Sequence, residues 1–334
     1  MLLATLMLLQ TVPAAQDVPT AQVQAMGETV AVASLEDAAD DPAIWRNPRD
    51  PAASLIVATD KKAGLNVYDL SGKLRSSLAA GRVNNVDLRA WGGQVIVAAS
   101  DRNDKANAKL ALYALDTRAA ALREIGRFDA GAGEAYGLCM YAPRGGRLHA
   151  FVVKKDGTIV QMEILREGGA IKADRVRTMK LASQSEGCVA DDRTGALFVG
   201  EEDVGVWRFG ANPRDAVAGE KVIAADGQRL VADVEGVAIA AEGARGGYLV
   251  VSSQGDSAYG LWRLRDMAYA GRFRITAGTF GATNETDGIE VSTAGFGPRL
   301  QGGLMLAQDG DNAPAAQNFK LVRWADVRKA LGLK

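Results

Sequence analysis

The sequence predicts an all-β fold, a six-bladed β-propeller forming one domain, and three observations carry that prediction. A weak repeat of about 50 residues runs through the chain, within the range typical of propeller blades. Short β-rich runs follow one another with Gly and Asp punctuation, and amphipathic helical patterns are almost missing. The 334 residues are 48% hydrophobic and 24% charged, enough apolar material for a full globular core.

The first strand of each repeat reads Asp41-Pro42-Ala43-Ile44-Trp45, Asp87-Leu88-Arg89-Ala90-Trp91, Tyr136-Gly137-Leu138-Cys139-Met140, Glu186-Gly187-Cys188-Val189-Ala190, Glu235-Gly236-Val237-Ala238-Ile239 and Asp287-Gly288-Ile289-Glu290-Val291. A second apolar run follows each, such as Leu55-Ile56-Val57-Ala58 or Leu197-Phe198-Val199. Then come a polar loop and a third alternating strand such as Leu65-Asn66-Val67-Tyr68. Residues 29–35 are expected to supply the outer strand that closes the ring against the last blade, and residues 324–333 a short helix.

Residues 1–15 read as a signal peptide: an apolar run over 1–9 ends in Val12-Pro13-Ala14-Ala15, although no Lys or Arg precedes Arg46. Residues 16–28 read as an N-terminal extension and 29–334 as the propeller. A secreted or periplasmic, monomeric protein is expected. No later segment approaches the roughly 18 uninterrupted apolar residues of a membrane span. With 39 basic and 40 acidic residues and no block of like charge, nucleic acid and membrane surfaces are poor partners.

Chemistry is narrowed by what is scarce. His149 is the single histidine and sits in an apolar strand, so multi-histidine metal sites and paired-histidine phosphoryl transfer are excluded. Cys139 and Cys188 are too few for a disulfide framework and are expected as two buried thiols. No Gly-x-Ser-x-Gly elbow or Gly-x-x-x-x-Gly-Lys loop occurs. What remains is carboxylates, Lys, Arg, Tyr and a metal.

Topology places those groups together. In an antiparallel blade, the start of the inner strand and the loop after the second strand share one end. Those loops hold Lys61 and Lys62, Arg102, Lys155, Glu202, Asp256 and Asp309, bases in the first three blades and acids in the last three. Converging carboxylates about 4 Å apart repel by about 4 kcal/mol at an effective dielectric near 20, which calls for a cation or for protonation. Oxygen-only donors on flexible loops suit calcium. The neighbouring bases suit phosphate oxygens, and Arg102 can clamp them in a bidentate manner.

These residues, with Asp37-Ala38-Ala39-Asp40-Asp41-Pro42-Ala43-Ile44-Trp45 and Asn84-Asn85-Val86-Asp87-Leu88-Arg89 as the most specific segments, resemble the β-propeller phytases. These are bacterial alkaline-type enzymes that remove phosphate from inositol hexakisphosphate. Supporting segments include Glu201-Glu202-Asp203, Asp233-Val234-Glu235-Gly236, Thr286-Asp287-Gly288-Ile289 and Gln317-Asn318-Phe319-Lys320. The resemblance implies several calcium ions and phytate, or calcium-phytate, as substrate. It implies Asp41, Asp87, Glu186, Glu202, Asp233, Glu235, Asp287 and Asp309 as metal or active-site acids. By the same token Lys61, Lys62, Arg102, Tyr136 and Lys155 would hold phosphate, with Glu202, Lys62 and Arg102 as the catalytic group and a calcium-activated water as nucleophile. A calcium-dependent propeller lactonase or esterase, which would leave the basic arc unexplained, and a non-catalytic calcium-containing scaffold are the alternatives.

Overall fold

The structure is a computed structural model that describes residues 18–333. The signal peptide expected over 1–15 lies outside the described residues. Two short strands, β1 (Thr20–Gln24) and β2 (Gly27–Glu28), precede the blades. Blade one is β3 (Ala39–Trp45), β4 (Leu55–Asp60), β5 (Gly64–Asp69) and β6 (Leu74–Leu78). Blade two is β7 (Val83–Trp91), β8 (Gln94–Asp101), β9 (Asn107–Asp116) and β10 (Ala121–Ala132). Blade three runs β11 (Ala135–Tyr141), β12 (Leu148–Lys154), β13 (Thr158–Glu167) and β14 (Ala170–Lys180). Blade four runs β15 (Ser185–Asp191), β16 (Ala196–Glu201), β17 (Gly205–Gly210) and β18 (Glu220–Ala224). Blade five is β19 (Val234–Glu242), β20 (Gly246–Ser253), β21 (Ala258–Arg263) and β22 (Tyr269–Thr276). Blade six is β23 (Ile289–Ser292), β24 (Leu304–Asp309) and β25 (Asn318–Arg323), followed by helix α1 (Trp324–Ala330).

Sequential strands pair antiparallel within each blade, and the inner strands β3, β7, β11, β15, β19 and β23 neighbour one another around a ring that closes from β23 to β3. The six-bladed propeller is therefore the observed fold. Apolar wedges between blades form the core: Ile96, Leu110 and Leu112 of blade two, for example, pack on Met140, Leu148 and Ala150 of blade three, all fully buried. Because alternate side chains of every strand face the neighbouring blade, each wedge removes apolar area from water at about 25 cal/mol per Å².

Ring closure differs from expectation. Gly27 and Glu28 pair with Leu321 and Lys320, so β2 is the fourth strand of blade six, and residues 29–35 form no regular strand. The reason lies in how the backbone donors divide. Thr29 and Val32 donate to Phe319 and Gln317 of blade six, at 2.9 and 3.0 Å, whereas Val30 between them donates to Gly72 of blade one at 2.8 Å. β1 adds a fifth strand to blade five, parallel to β22, which the sequence reading did not anticipate.

A second correction concerns the cysteines, which form a disulfide. Cys139 on β11 and Cys188 on β15 face each other across adjacent inner strands with 5.6 Å between Cα atoms, and both are buried. Inner strands crowd most closely around the axis, so two thiols 49 residues apart in sequence meet there.

Candidate active site at the channel mouth

The same irregularity recurs at the start of five inner strands. Register shifts lie between Ala39 and Pro42, Val83 and Val86, Ala135 and Leu138, Ser185 and Cys188, and Val234 and Val237. Such a bulge releases two residues from the ladder and re-aims a side chain, here towards the channel mouth. The released amides are capped locally: Asp41 N–H donates to Thr59 Oγ1 and Asn85 N–H to Ser100 Oγ, both at 2.9 Å. By this register the six equivalent residues are Asp40, Asn84, Tyr136, Glu186, Glu235 and, just before β23, Asp287. The repeat read from sequence was thus one residue late in blade one, at Asp41, and three late in blade two, at Asp87.

The glycine that follows four of these residues has a direct cause. A Cβ on Gly137 would stand 1.8 Å from Glu186 O, one on Gly187 2.1 Å from Glu235 O, and one on Gly236 2.5 Å from Asp287 O. Only a residue without a side chain lets neighbouring inner strands approach this closely. That approach brings the acids together.

A second set of equivalent residues starts the loop after each second strand. Lys61, Arg102, Lys155, Glu202, Gln254 and Gly310 donate their amides to Ala38, Arg82, Glu134, Gln184, Asp233 and Asn284 respectively, at 2.7 to 3.1 Å. From these two sets Tyr136, Glu235 and Asp287 of the first and Lys61, Glu202, Gln254 and Gly310 of the second line a cavity of about 540 Å³, together with Asp37 and Asp233 among others.

The two sets interact by charge. Lys61 Nζ lies 2.5 Å from Asp37, 3.1 Å from Asp40 and 3.1 Å from Asp287. Burial opposes its charge, but Asp40 and Asp287 outweigh burial and hold the ammonium above its ordinary pKa. Arg102 and Lys155 flank the Tyr136 ring, 5.8 and 5.1 Å from its centroid. Burial, followed by the charges of Glu186, Glu235 and Glu202, raises the Tyr136 hydroxyl, so it remains a donor at any working pH.

Across the cavity, Glu186, Glu202 and Glu235 bring carboxylate oxygens within 4.8 Å of one another, all buried. Glu202 Oε1 and Glu235 Oε2 are buried without a hydrogen-bond partner, whereas Glu186 Oε1 accepts from Asn84 Nδ2 at 2.6 Å. Burial is the main cause raising all three carboxyls. Asp40 comes next for Glu186 and Asp287 for Glu235, whereas a Gln184 hydrogen bond works against the shift at Glu202. Asp287 is pushed up to about 7 by burial and Asp40 against the pull of Lys61, and also accepts from Gln254 Nε2 at 2.7 Å. Three buried carboxylates, two of them with an unpartnered oxygen, and no nitrogen or sulfur between them fit a hard divalent cation.

Several expected site residues are therefore gathered here: Lys61, Arg102, Tyr136, Lys155, Glu186, Glu202, Asp233, Glu235 and Asp287. Lys62 lies at the rim, donating to Leu35 O at 2.6 Å and reaching Glu36 at 3.4 Å. Asp41 and Asp87 line a separate cavity of about 270 Å³ further along the axis. There Asp41 accepts from Val86 N–H at 3.0 Å, and Asp87 holds Arg89 at 2.6 Å and Met140 N–H at 2.8 Å. Asp309 stands behind the wall of the main cavity, on Lys320 at 3.0 Å. Asp40, Asn84 and Gln254 were missed in sequence as site residues. The bulge register that places Asp40 and Asn84 leaves no mark in an apolar pattern.

The comparisons with known proteins agree with this geometry. The family model described as Phytase matches residues 1–334. The chain belongs to the phytase family. It is an enzyme of the phytase type, and the 3-phytase of Bacillus subtilis (strain 168) is 39% identical over 327 residues, spanning 93% of this chain and 86% of that relative. Among solved structures, a chain in the crystal structure of a mitotic checkpoint complex aligns with 97% of this phytase-family chain and 98% of its own length. That match has 12% identity and a TM-score of 0.48.

Proposed function

We propose that the protein is a calcium-dependent phosphomonoesterase that removes phosphate from phytate. The observation that carries this reading is the opposition, across one cavity, of three mutually close buried carboxylates and a basic, phenol-bearing wall. Glu186, Glu202 and Glu235 would hold the cation, with Asp287 and Asp233 beside them on the same lining. Calcium bound there would supply positive charge that offsets the converging carboxylates and polarises phosphate oxygen and water.

The chain's own groups account for the rest. Arg102 and Lys155 would bind one phosphate as charge-assisted donors, and Tyr136 between them would add a neutral one. Lys62 at the rim and Lys61 beneath it would meet a neighbouring phosphate, which must displace the carboxylates of Glu36 and Asp37 that now contact them. Glu202, with Oε1 unpartnered at the cavity, would take the proton of the attacking water as the new phosphorus–oxygen bond forms and deliver it to the inositol oxygen as the old bond breaks. Fixed donors in a partly dry site favour the charge that spreads over the phosphoryl oxygens.

The charged lining supports a polyanion over a lactone or neutral ester. Inorganic phosphate release from phytate by chelator-stripped protein, with and without added calcium chloride, tests the reading. Release should vanish on stripping and return with calcium. Full turnover after exhaustive chelation would overturn it.

A further inference from the structure

Lys320 is fully buried, yet its ammonium is surrounded by four oxygens: Glu28 Oε2 at 2.6 Å and Asp309 Oδ2, Asn312 Oδ1 and Asn318 Oδ1 each at 3.0 Å. An ammonium has three hydrogens to donate, so four oxygens exceed its simple donor count. Two carboxylates and two amide carbonyls around one centre make a donor set that a hard metal ion would also accept.

The blade register says what this arrangement is for. Asp309 ends its second strand as Asp60, Asp101 and Glu201 end theirs, one residue before the cavity-facing position. Those three acids hold their own loops: Asp60 accepts from Ser34, Lys62 and Ala63 amides, Asp101 from Asn103 and Arg127, and Glu201 from Ser183 and Trp207. Asp309 likewise accepts from the amides of Asn284 and Asp311, at 3.2 and 3.3 Å. Asn312, on the same ammonium, lines the cavity and donates to Ala316 O at 2.8 Å.

We propose that Lys320 is a resident cation in the place of a metal ion: its ammonium holds Asp309 and Asn312 and so positions the 310–317 wall of the active site. Asp309 is then no calcium ligand. The same ammonium ties Glu28 of the closing strand to blade six, so ring closure and the site wall share one charge. The proposal rests on the phytase reading only in assuming that the adjoining cavity is the active site.

Two measurements decide it. Calcium bound per chain, counted by equilibrium dialysis, should be the same in wild type and Asp309→Asn; loss of one ion in Asp309→Asn overturns the proposal. If neither chain binds calcium, the reading of the glutamate cluster fails and the thermal comparison alone decides this one. In that comparison, Lys320→Met should lower the melting midpoint by about 5 °C or more, because it strands a buried carboxylate. Lys320→Met/Asp309→Asn should recover part of that loss. No recovery in the double variant overturns the proposal. Should Lys320→Met fail to accumulate as folded protein while the double variant does, that is the same recovery, and failure of both counts against it.

Discussion

Lys61 and Lys62 are adjacent in sequence and opposite in surroundings. The side chain of Lys61 is 9% exposed and pairs with Asp37, Asp40 and Asp287, while that of Lys62 is 42% exposed and makes its polar contacts with the 35–36 segment. Lys61→Met should therefore destabilise the calcium-free fold by about 3 to 5 kcal/mol, as removal of one member of a buried charge group does. Lys62→Ala should stay within about 0.5 kcal/mol of wild type while lowering turnover. Urea midpoints on chelated protein, with phytate turnover measured alongside, distinguish the two. At Tyr136, removal of the hydroxyl alone in Tyr136→Phe should raise KM about fivefold, the equivalent of about 1 kcal/mol, and leave the melting temperature unchanged. The positions of both lysines and the tyrosine were legible in sequence, because the loops that hold Lys61 and Lys62 alternate predictably with strands and Tyr136 heads an inner strand. Which of the lysines is buried was not, because Asp37 and Asp40 reach Lys61 from a segment with no regular structure and a bulge with no apolar signature.

At the scale of the element, the bulged start of the inner strand is the unit that builds the site. A ladder in perfect register would send alternate residues into the blade interfaces; in five of the six blades the bulge frees one side chain for the axis. The following glycine then sets how near those side chains come. Gly187→Ala should displace Glu186 and Glu235 together, because the new methyl would meet the backbone of Glu235 rather than a movable side chain. Calcium affinity should fall at least tenfold in a titration of the chelated variant, and unaltered affinity would show that the inner strands can part without cost to the cluster. The disulfide ties β15 to its other neighbour in the ring, β11. Joining residues 49 apart restricts the unfolded chain by about 4 kcal/mol in the loop-entropy account. Cys139→Ala/Cys188→Ala should thus melt several degrees lower by calorimetry, with wild type under reductant following it. Periodicity showed the strands and even their order, but pairing of two thiols depends on how closely inner strands pack around the axis, which only the closed ring reveals.

Taken as a whole molecule, the propeller concentrates acids at one end of its axis, and the consequence is a dependence of stability on pH that calcium should reverse. Asp287 titrates near 7 without a cation, and burial with mutual repulsion raises Glu186 and Glu235 well above the ordinary range. In the unfolded chain the same groups lose their protons near about 4. Where the native pKa is the higher, the folded state binds more protons than the unfolded state between the two values, so stability falls as pH rises through that window. For Asp287 the stabilisation is complete below about pH 4 and lost above about pH 7, and for Glu186 and Glu235 it is likewise lost as pH rises through their raised native values. Carboxylates with depressed values, such as Asp69, Asp191 and Asp226, act in the opposite direction but only at lower pH, as the medium falls towards their native values. Between pH 5 and 8 the channel acids act together with Glu290, which burial pushes up to about 8, while His149, held below its ordinary value by burial, opposes them only at the acid end of the range. The melting temperature of chelated protein should decline across that range. With saturating calcium the decline should disappear, since cation and proton compete for the same oxygens and the ion stabilises by RT ln(1 + [L]/Kd), a term that grows as the protons leave. The calcium-induced shift in melting temperature should thus be small at pH 5 and largest near pH 8. Calorimetry at four pH values with chelator or calcium measures it directly. A chelated protein that grew more stable from pH 5 to 8 would mean that the mouth acids are already ionised and neutralised by Lys61 and its neighbours, with no electrostatic demand left for a metal.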